Sequence, residues 1–122
     1  MNSVAARPGK PHRWSMAQDE APTEVPATIR RHVAEVLEHL LSPVELERWE
    51  CRWEPDDGRW LLVVEVVACG EHHRGFVAER GAGYPLEQGL DTFTDGLEDF
   101  ISESRFAWGE QRLMKDRPWR EV

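Results

Sequence analysis

The sequence has few of the features that mark exported, membrane-spanning or disulfide-bonded proteins. No segment approaches the roughly 18 consecutive apolar residues that a membrane-spanning helix needs. The basic residues Arg7, Lys10 and Arg13 are not followed by the apolar stretch of a secretory signal, so we expect a cytoplasmic protein. There are only two cysteines, Cys51 and Cys69, and a reducing compartment favours buried thiols over a disulfide between them.

Positive charge is also scarce. The formal net charge is −8, and the chain has only 2 lysines beside 13 arginines, a bias typical of GC-rich bacterial genomes. An acidic protein repels the phosphate backbone. We therefore expect neither a nucleic acid nor a membrane as partner.

The motifs of the common enzyme classes are missing. The chain has no G-x-S-x-G elbow, no P-loop, no dinucleotide-binding fingerprint and no C-x-x-C pair. The "RGAGYP" stretch, residues 80–85, has two glycines but lacks the spacing that a phosphate-binding loop requires. These absences disfavour an enzyme and indicate no cofactor.

The length of 122 residues suits one domain. Residues 1–22 are rich in Pro, Gly, Ser and Ala and lack periodicity, so we expect a disordered tail there, in which Trp14 is the one bulky aromatic. We place a single domain at residues 23–109 and a short C-terminal tail at 110–122. The sequence does not indicate an oligomeric state.

Within the domain, hydrophobic periodicity predicts helix, strand, strand, strand and helix. One apolar stripe runs from Ile29 to Leu41, and a second runs from Leu86 to Ser104, with Gly109 as the expected terminator. Between them we expect a hairpin and a third strand at 74–79. The predicted fold is an α+β two-layer sandwich, with both helices on one face of an antiparallel sheet. Phe106 and Trp108 are expected to continue the core.

The hairpin turn lies within residues 55–58, and its register can be predicted from charge. A two-residue turn at 57–58 would set Glu50 opposite Glu65, which is unfavourable. A four-residue loop sets Cys51 opposite Leu62 and avoids that repulsion, so we predict the longer loop. Both registers place the same apolar side chains on the core face.

Histidines supply the candidate metal ligands. His72 and His73 lie close to Cys69, and a small metal-dependent hydrolase using these histidines is one alternative function. His32 and His39 are seven residues apart, not the four of a zinc-binding H-E-x-x-H, and we expect them on a solvated helix face. A turn with exposed histidines is the simpler reading of 72–73, so no metal is predicted.

The last helix carries a row of like charges. Residues 86–104 contain no Lys, Arg or His. Asp91, Asp95 and Asp99 are expected to point outward, with Glu98 on one flank of that row and Glu103 on the other. Like charges four residues apart destabilise a helix by about 0.2–0.5 kcal/mol each. The row is either a solubilising face or a docking surface for a basic partner, and we predict these five residues as the partner-binding set.

The order of elements and the acidity of the chain resemble bacterial immunity proteins, which mask the basic active site of a nuclease toxin. They also resemble the acidic chaperones of secreted effectors. The double-stranded RNA-binding domain has the same order, but the basic second helix that it needs is here the acidic one. We therefore expect a non-enzymatic protein-binding module of the immunity, antitoxin or effector-chaperone type. A structural subunit of a larger, possibly phage-derived, assembly is the other alternative.

Overall fold

The computed structural model describes residues 22, 24–80 and 85–120, and the elements follow the predicted order. The elements are the helices α1 (Ala27–Leu40) and α2 (Leu86–Glu103) and the strands β1 (Leu46–Asp56), β2 (Arg59–Ala68) and β3 (Glu71–Glu79). The strands form one antiparallel sheet in the order β1-β2-β3. Both helices share one apolar core with one face of this sheet, which confirms the α+β sandwich. None of the described helices is long and apolar enough to cross a membrane.

The predicted N-terminal tail and its Trp14 lie outside the described residues, apart from Pro22. Most of the "RGAGYP" loop lies outside them as well.

Helix α1 buries the apolar stripe that the sequence predicts, and its buried side chains are Ile29, Val33, Val36, Leu37 and Leu40. The helix ends at Leu41, which adopts an extended conformation. Ser42 and Glu45 then exchange hydrogen bonds: the Ser42 N–H donates to Glu45 Oε1 (2.9 Å), and the Glu45 N–H donates to Ser42 Oγ (3.2 Å). This reciprocal pair turns the chain into β1.

The register of the first hairpin differs from the prediction. Asp57 and Gly58 form a two-residue turn with φ of 51° and 83°, and Glu50 pairs directly with Glu65. Positive φ at both positions is the signature of a type I′ turn, which Asp-Gly favours because its twist matches that of the strands. The expected four-residue loop is therefore wrong.

The Glu50–Glu65 repulsion that argued against this register is relieved by neighbouring arginines. Arg52 binds Glu50 Oε1 (2.6 Å), Glu54 Oε2 (2.7 Å) and Glu65 Oε1 (3.0 Å). Arg74 on β3 also binds Glu65 (3.0 Å) and Glu54. The Glu50–Glu65 pair alone gave the wrong register, because Glu65 also faces Arg74 directly on β3 and is reached diagonally by Arg52 on β1.

The second hairpin turns at Cys69 and Gly70, with φ of 50° and 80°. Strand β3 therefore begins at Glu71, three residues before the predicted start. His72 and His73 belong to the strand and not to the connection, so the expectation of two histidines in a turn is wrong.

The two cysteines lie in different environments and are both free thiols. Cys51 is buried as expected, and burial raises its pKa to about 11, which makes it a poor nucleophile. Cys69 is exposed at the turn, so its expected burial is wrong.

Helix α2 ends at Glu103, six residues before the predicted terminator. Ser104 ends it, because its backbone is extended and its hydroxyl donates to the Ile101 carbonyl (2.7 Å). Gly109, with φ of 81°, ends a compact turn that follows the helix. We call residues 104–109 the helix-end turn.

Residues 110–120, expected as a tail, pack on the domain, and we call them the strap. Met114 and Trp119 of the strap are buried and belong to the core, and Pro118–Arg120 forms a short 3-10 turn. Arg112 fixes the start of the strap by donating to the Leu40 carbonyl (3.0 Å) and to both carboxylate oxygens of Glu45. That ion pair lowers the pKa of Glu45 to about 2.

Candidate functional site

The strap runs antiparallel to α2 and occupies part of its acidic face. The contacts run in opposite chain order: Met114 to Glu98, Arg117 to Asp95, and Trp119 to Asp91. The counter-charge that α2 lacks is thus supplied by a segment that follows it in the chain.

Arg117 is the centre of this arrangement. Its side chain is only 6% exposed, and its guanidinium binds Asp91 (3.1 Å), Asp95 (2.9 Å) and Glu98 (3.3 Å). The Arg117 Nε–H donates to the Met114 carbonyl (2.8 Å). Burial acts to lower the pKa of Arg117, but hydrogen bonds to Asp95 and Asp91 prevail and raise it. A buried cation needs such partners, because an unpaired charge in the interior is strongly destabilising.

Asp91 makes the most contacts of the acidic row. It accepts hydrogen bonds from Trp119 Nε1 (2.9 Å), Arg117 Nη1 (3.1 Å) and Arg120 Nε (3.0 Å). Burial alone would raise the pKa of Asp91, but these hydrogen bonds outweigh it and lower the pKa. Asp91 is therefore an ionised structural residue at neutral pH.

The structure divides the five predicted partner-binding residues into two groups. Asp91, Asp95 and Glu98 bind the strap. Asp99 and Glu103 are exposed, and within the described part of the chain no ion pair includes either of them. The unexplained charge of the helix is reduced to these last two acids.

Glu103 lies in the last turn of α2, the unfavourable end for an acid, and Asp99 lies one turn before it. The C-terminal end of a helix carries partial negative charge, which favours cations there. The last turn of α2 contains no basic residue. These two acids therefore destabilise the helix locally, so solvation alone does not account well for them.

The helix-end turn is fixed by hydrogen bonds immediately after these acids. The Ala107 N–H donates to Ser104 Oγ (3.1 Å), and the Gly109 N–H donates to the Ser102 carbonyl (2.9 Å). The Arg105 N–H donates to Glu71 Oε2 (2.9 Å), which ties the turn to β3. The turn is thus an ordered structure held against the last turn of α2.

Trp108 projects from this turn and is 75% exposed, so the expectation that it continues the core is wrong. Phe106, by contrast, packs against the core as expected, with its ring 6.3 Å from that of Phe100. Ala107 between the two aromatics is buried, so the turn faces the core up to residue 107 and Trp108 is the first side chain beyond it that projects into solvent. A large aromatic held outward on an ordered turn is unusual, since tryptophan is highly buried on average.

The four histidines that the structure describes do not form a metal site. His72 and His73 are consecutive on β3, so their side chains point to opposite faces of the sheet and cannot share one ion. Across residues 24–80 and 85–120, no group of three His, Cys, Asp or Glu side chains is arranged to hold a metal. His32, expected in water, is half-buried: it binds Glu35 (2.9 Å) and contacts the Trp119 ring at 5.5 Å, whereas His39 is exposed.

A groove of about 540 Å³ opens beside the sheet, and its lining includes Arg48, Glu50, Glu65, Val67, His72 and Arg74. Arg52 and Arg74 hold the pKa of Glu65 below its usual value through hydrogen bonds. Glu65 therefore stays ionised at neutral pH and is not suited to act as a general acid there.

A scan against protein-family models finds no match for this chain, and searches of curated proteins and of solved structures find none either.

Proposed function

We propose that this is a non-enzymatic cytoplasmic protein that binds another protein through the helix-end turn and the adjacent end of α2. Trp108 is the apolar anchor, and Asp99 and Glu103 form an acidic rim beside it. The partner has an apolar pocket with basic residues around it. Immunity proteins, antitoxins and effector chaperones are the classes that fit this chemistry.

The exposed fraction of Trp108 is the observation that carries the proposal. Tryptophan is enriched among the few interface residues that dominate binding free energy, and these anchors fill pockets on the partner. The hydrogen bonds of the helix-end turn hold the backbone of Trp108 in place before binding. Less conformational entropy is then lost on association.

Asp99 and Glu103, for which the described residues offer no ion pair, support the same surface. The Gly109 N–H bonds the Ser102 carbonyl, so the turn lies against the part of α2 that carries Asp99 and Glu103. Charges at the rim of an interface speed encounter and select the partner's charge. Their local cost to the helix is explained if a basic partner offsets it on binding.

The test begins with capture of the partner from the native host on immobilised protein, followed by affinity measurements with the purified partner. We expect Trp108→Ala to weaken binding by about 30-fold or more, the range of an interface hot spot. Asp99→Asn combined with Glu103→Gln should slow association and flatten its salt dependence.

Val44→Ala is the matched control, because Val44 is also an exposed apolar residue but lies between α1 and β1. It should leave the affinity unchanged. Trp108→Ala should leave the unfolding free energy within about 0.5 kcal/mol of wild type, because the side chain is exposed. A partner that binds Trp108→Ala as tightly as wild type would remove this surface from consideration.

A further inference from the structure

The imidazole ring of His73, a residue of β3, packs against α2 in a slot where Gly75 and Gly96 have no side chains. A Cβ added at Gly75 would lie 3.5 Å from His73 Nε2, and one added at Gly96 would lie 3.8 Å from the imidazole Cε1. The ring stacks on Phe100, with centroids 4.9 Å apart and planes inclined by 27°. The slot thus fits the flat ring closely.

The imidazole has a buried nitrogen without a partner. His73 Nε2 is the one buried side-chain polar atom with no hydrogen bond among the residues that the structure describes. A neutral ring tolerates this, because its unprotonated nitrogen can remain an unused acceptor. A protonated ring would bury an N–H and a positive charge with no acceptor, which is far less favourable.

A chain of aromatic contacts connects this ring to the proposed binding turn. His73 stacks on Phe100, and Phe100 contacts Phe106 edge-on at 6.3 Å. Phe106 lies in the helix-end turn two residues before Trp108. A displacement of the His73 ring therefore alters the packing of Phe100 against Phe106, which holds the helix-end turn on the core.

We propose that His73 is a proton-sensitive latch, whose protonation loosens the end of α2 and the helix-end turn and so weakens partner binding in mild acid. As a regulator of binding, this inference rests on the proposed function. The loosening itself is a property of the free protein and is measured without a partner.

The groups around His73 determine the direction of the effect. From β2, Val66 pairs with His73 and is apolar, and from α2 the ring meets Phe93, Gly96 and Phe100. The carboxylates on the adjoining elements are Glu71 on β3, bound to the Arg105 N–H, and Asp99 and Glu103, three and seven residues beyond Gly96 on α2.

Carboxylates favour a charged imidazole and burial opposes it; burial prevails and lowers the pKa of His73. The loosened state therefore binds the proton more readily than the closed state. The closed state loses stability as the pH falls below about 6.5, the ordinary pKa of histidine.

The experiment is an NMR titration of the free protein from pH 7.5 to pH 5. The ring shifts of His73 give its titration midpoint, and hydrogen exchange of the Gly109 amide, bonded to Ser102, reports the closure of the turn. The protection factor of Gly109 should fall as the pH drops below about 6.5, by at most tenfold per pH unit, the limit for one proton, and should level off near the His73 midpoint. The Leu41 amide, bonded to Leu37 at the end of α1, is the internal reference and should change little.

Two variants complete the test. His72→Gln alters the neighbouring residue on the opposite face of β3 and should keep the pH response. His73→Phe keeps a flat ring against Phe100 but cannot titrate, so Gly109 should stay protected in acid. Where this variant does not fold, the wild-type protein decides: the loss of Gly109 protection must level off at the titration midpoint of His73. A His73 midpoint at or above 6.5, or Gly109 protection that ignores His73 protonation, overturns the latch and leaves the proposed binding surface to its own experiment.

Discussion

The acidic row of α2 should respond to charge removal with opposite signs at its two ends. Asp91→Asn removes the charge of a residue that accepts three hydrogen bonds from the strap. Asp99→Asn removes the charge of an exposed residue for which no ion pair is found among the described residues. Asparagine is nearly isosteric with aspartate, so both changes test charge and not volume.

The loss at Asp91 can be worked from its contacts. A hydrogen bond to a charged group contributes about 1.5–3 kcal/mol, against about 0.5–1.5 kcal/mol for a neutral pair. Arg120 is half exposed and counts little, which leaves the bonds from Arg117 and Trp119. We expect Asp91→Asn to lower the unfolding free energy by about 1–3 kcal/mol.

The gain at Asp99 has two sources. The change removes like-charge repulsion with Asp95 and Glu103, at about 0.2–0.5 kcal/mol for each pair. The second source is a residual effect of the helix dipole, which is small because Asp99 lies just before the last turn of α2. Asparagine is no better a helix former than aspartate, so propensity adds nothing. We expect a net gain of about 0.5–1 kcal/mol.

Urea denaturation at pH 7 and low salt, followed by tryptophan fluorescence, measures both values. The slope of the unfolding free energy against urea should stay constant, so that shifts in midpoint report stability. If both variants lose stability equally, or if Asp91→Asn is neutral, the assignment of the row to a structural half and a free half is wrong.

Three further predictions follow from the strap and the turns. Trp119→Ala should lower the unfolding free energy by about 3–5 kcal/mol in the same urea assay, because the side chain is part of the core. The pKa of Glu45 falls from 4.5 unfolded to about 2 folded beside Arg112. Its stabilisation is present above pH 4.5 and lost as the pH falls towards 2, so Glu45→Gln should flatten stability between those values, measured by denaturation at several pH values. Gly58→Ala should cost about 1 kcal/mol or more from its φ of 83° alone, since no atom lies within 4 Å of the added Cβ; thermal unfolding measures it.

The fold could be predicted because its helices and strands have clear apolar periodicity. The stripe on α1 and the apolar face of the hairpin are local patterns; the first is buried as expected, and most of the second joins the core. The hairpin register could not be predicted from the Glu50–Glu65 pair alone, because Arg74 lies directly opposite Glu65 on β3 and Arg52 reaches Glu65 diagonally from β1. The backbone preference of the Asp-Gly turn was the better signal.

The strap could not be predicted from periodicity because residues 110–120 have none. Arg117 is 26 residues from Asp91, and the contact between them depends on the tertiary fold. A weaker signal was available in charge: the acidic helix, with no basic residue of its own, is followed by a segment that contains Arg112, Arg117 and Arg120. A segment with excess negative charge followed by one with excess positive charge favours ion pairs between the two segments.

Because the strap binds one part of the acidic row, the part that it leaves exposed needs its own explanation. A solubilising face has no reason to stop at a particular residue, whereas here the pairing with the strap covers Asp91, Asp95 and Glu98 and no ion pair of the described chain reaches Asp99 or Glu103. These two remain near the helix end where negative charge is least favourable, beside a turn that holds a tryptophan outward. Each feature alone is common on protein surfaces. The exposed Trp108 ring and the uncompensated negative charge both raise the free energy of the free protein, and they lie in adjoining segments. One partner with an apolar pocket and basic residues would offset both.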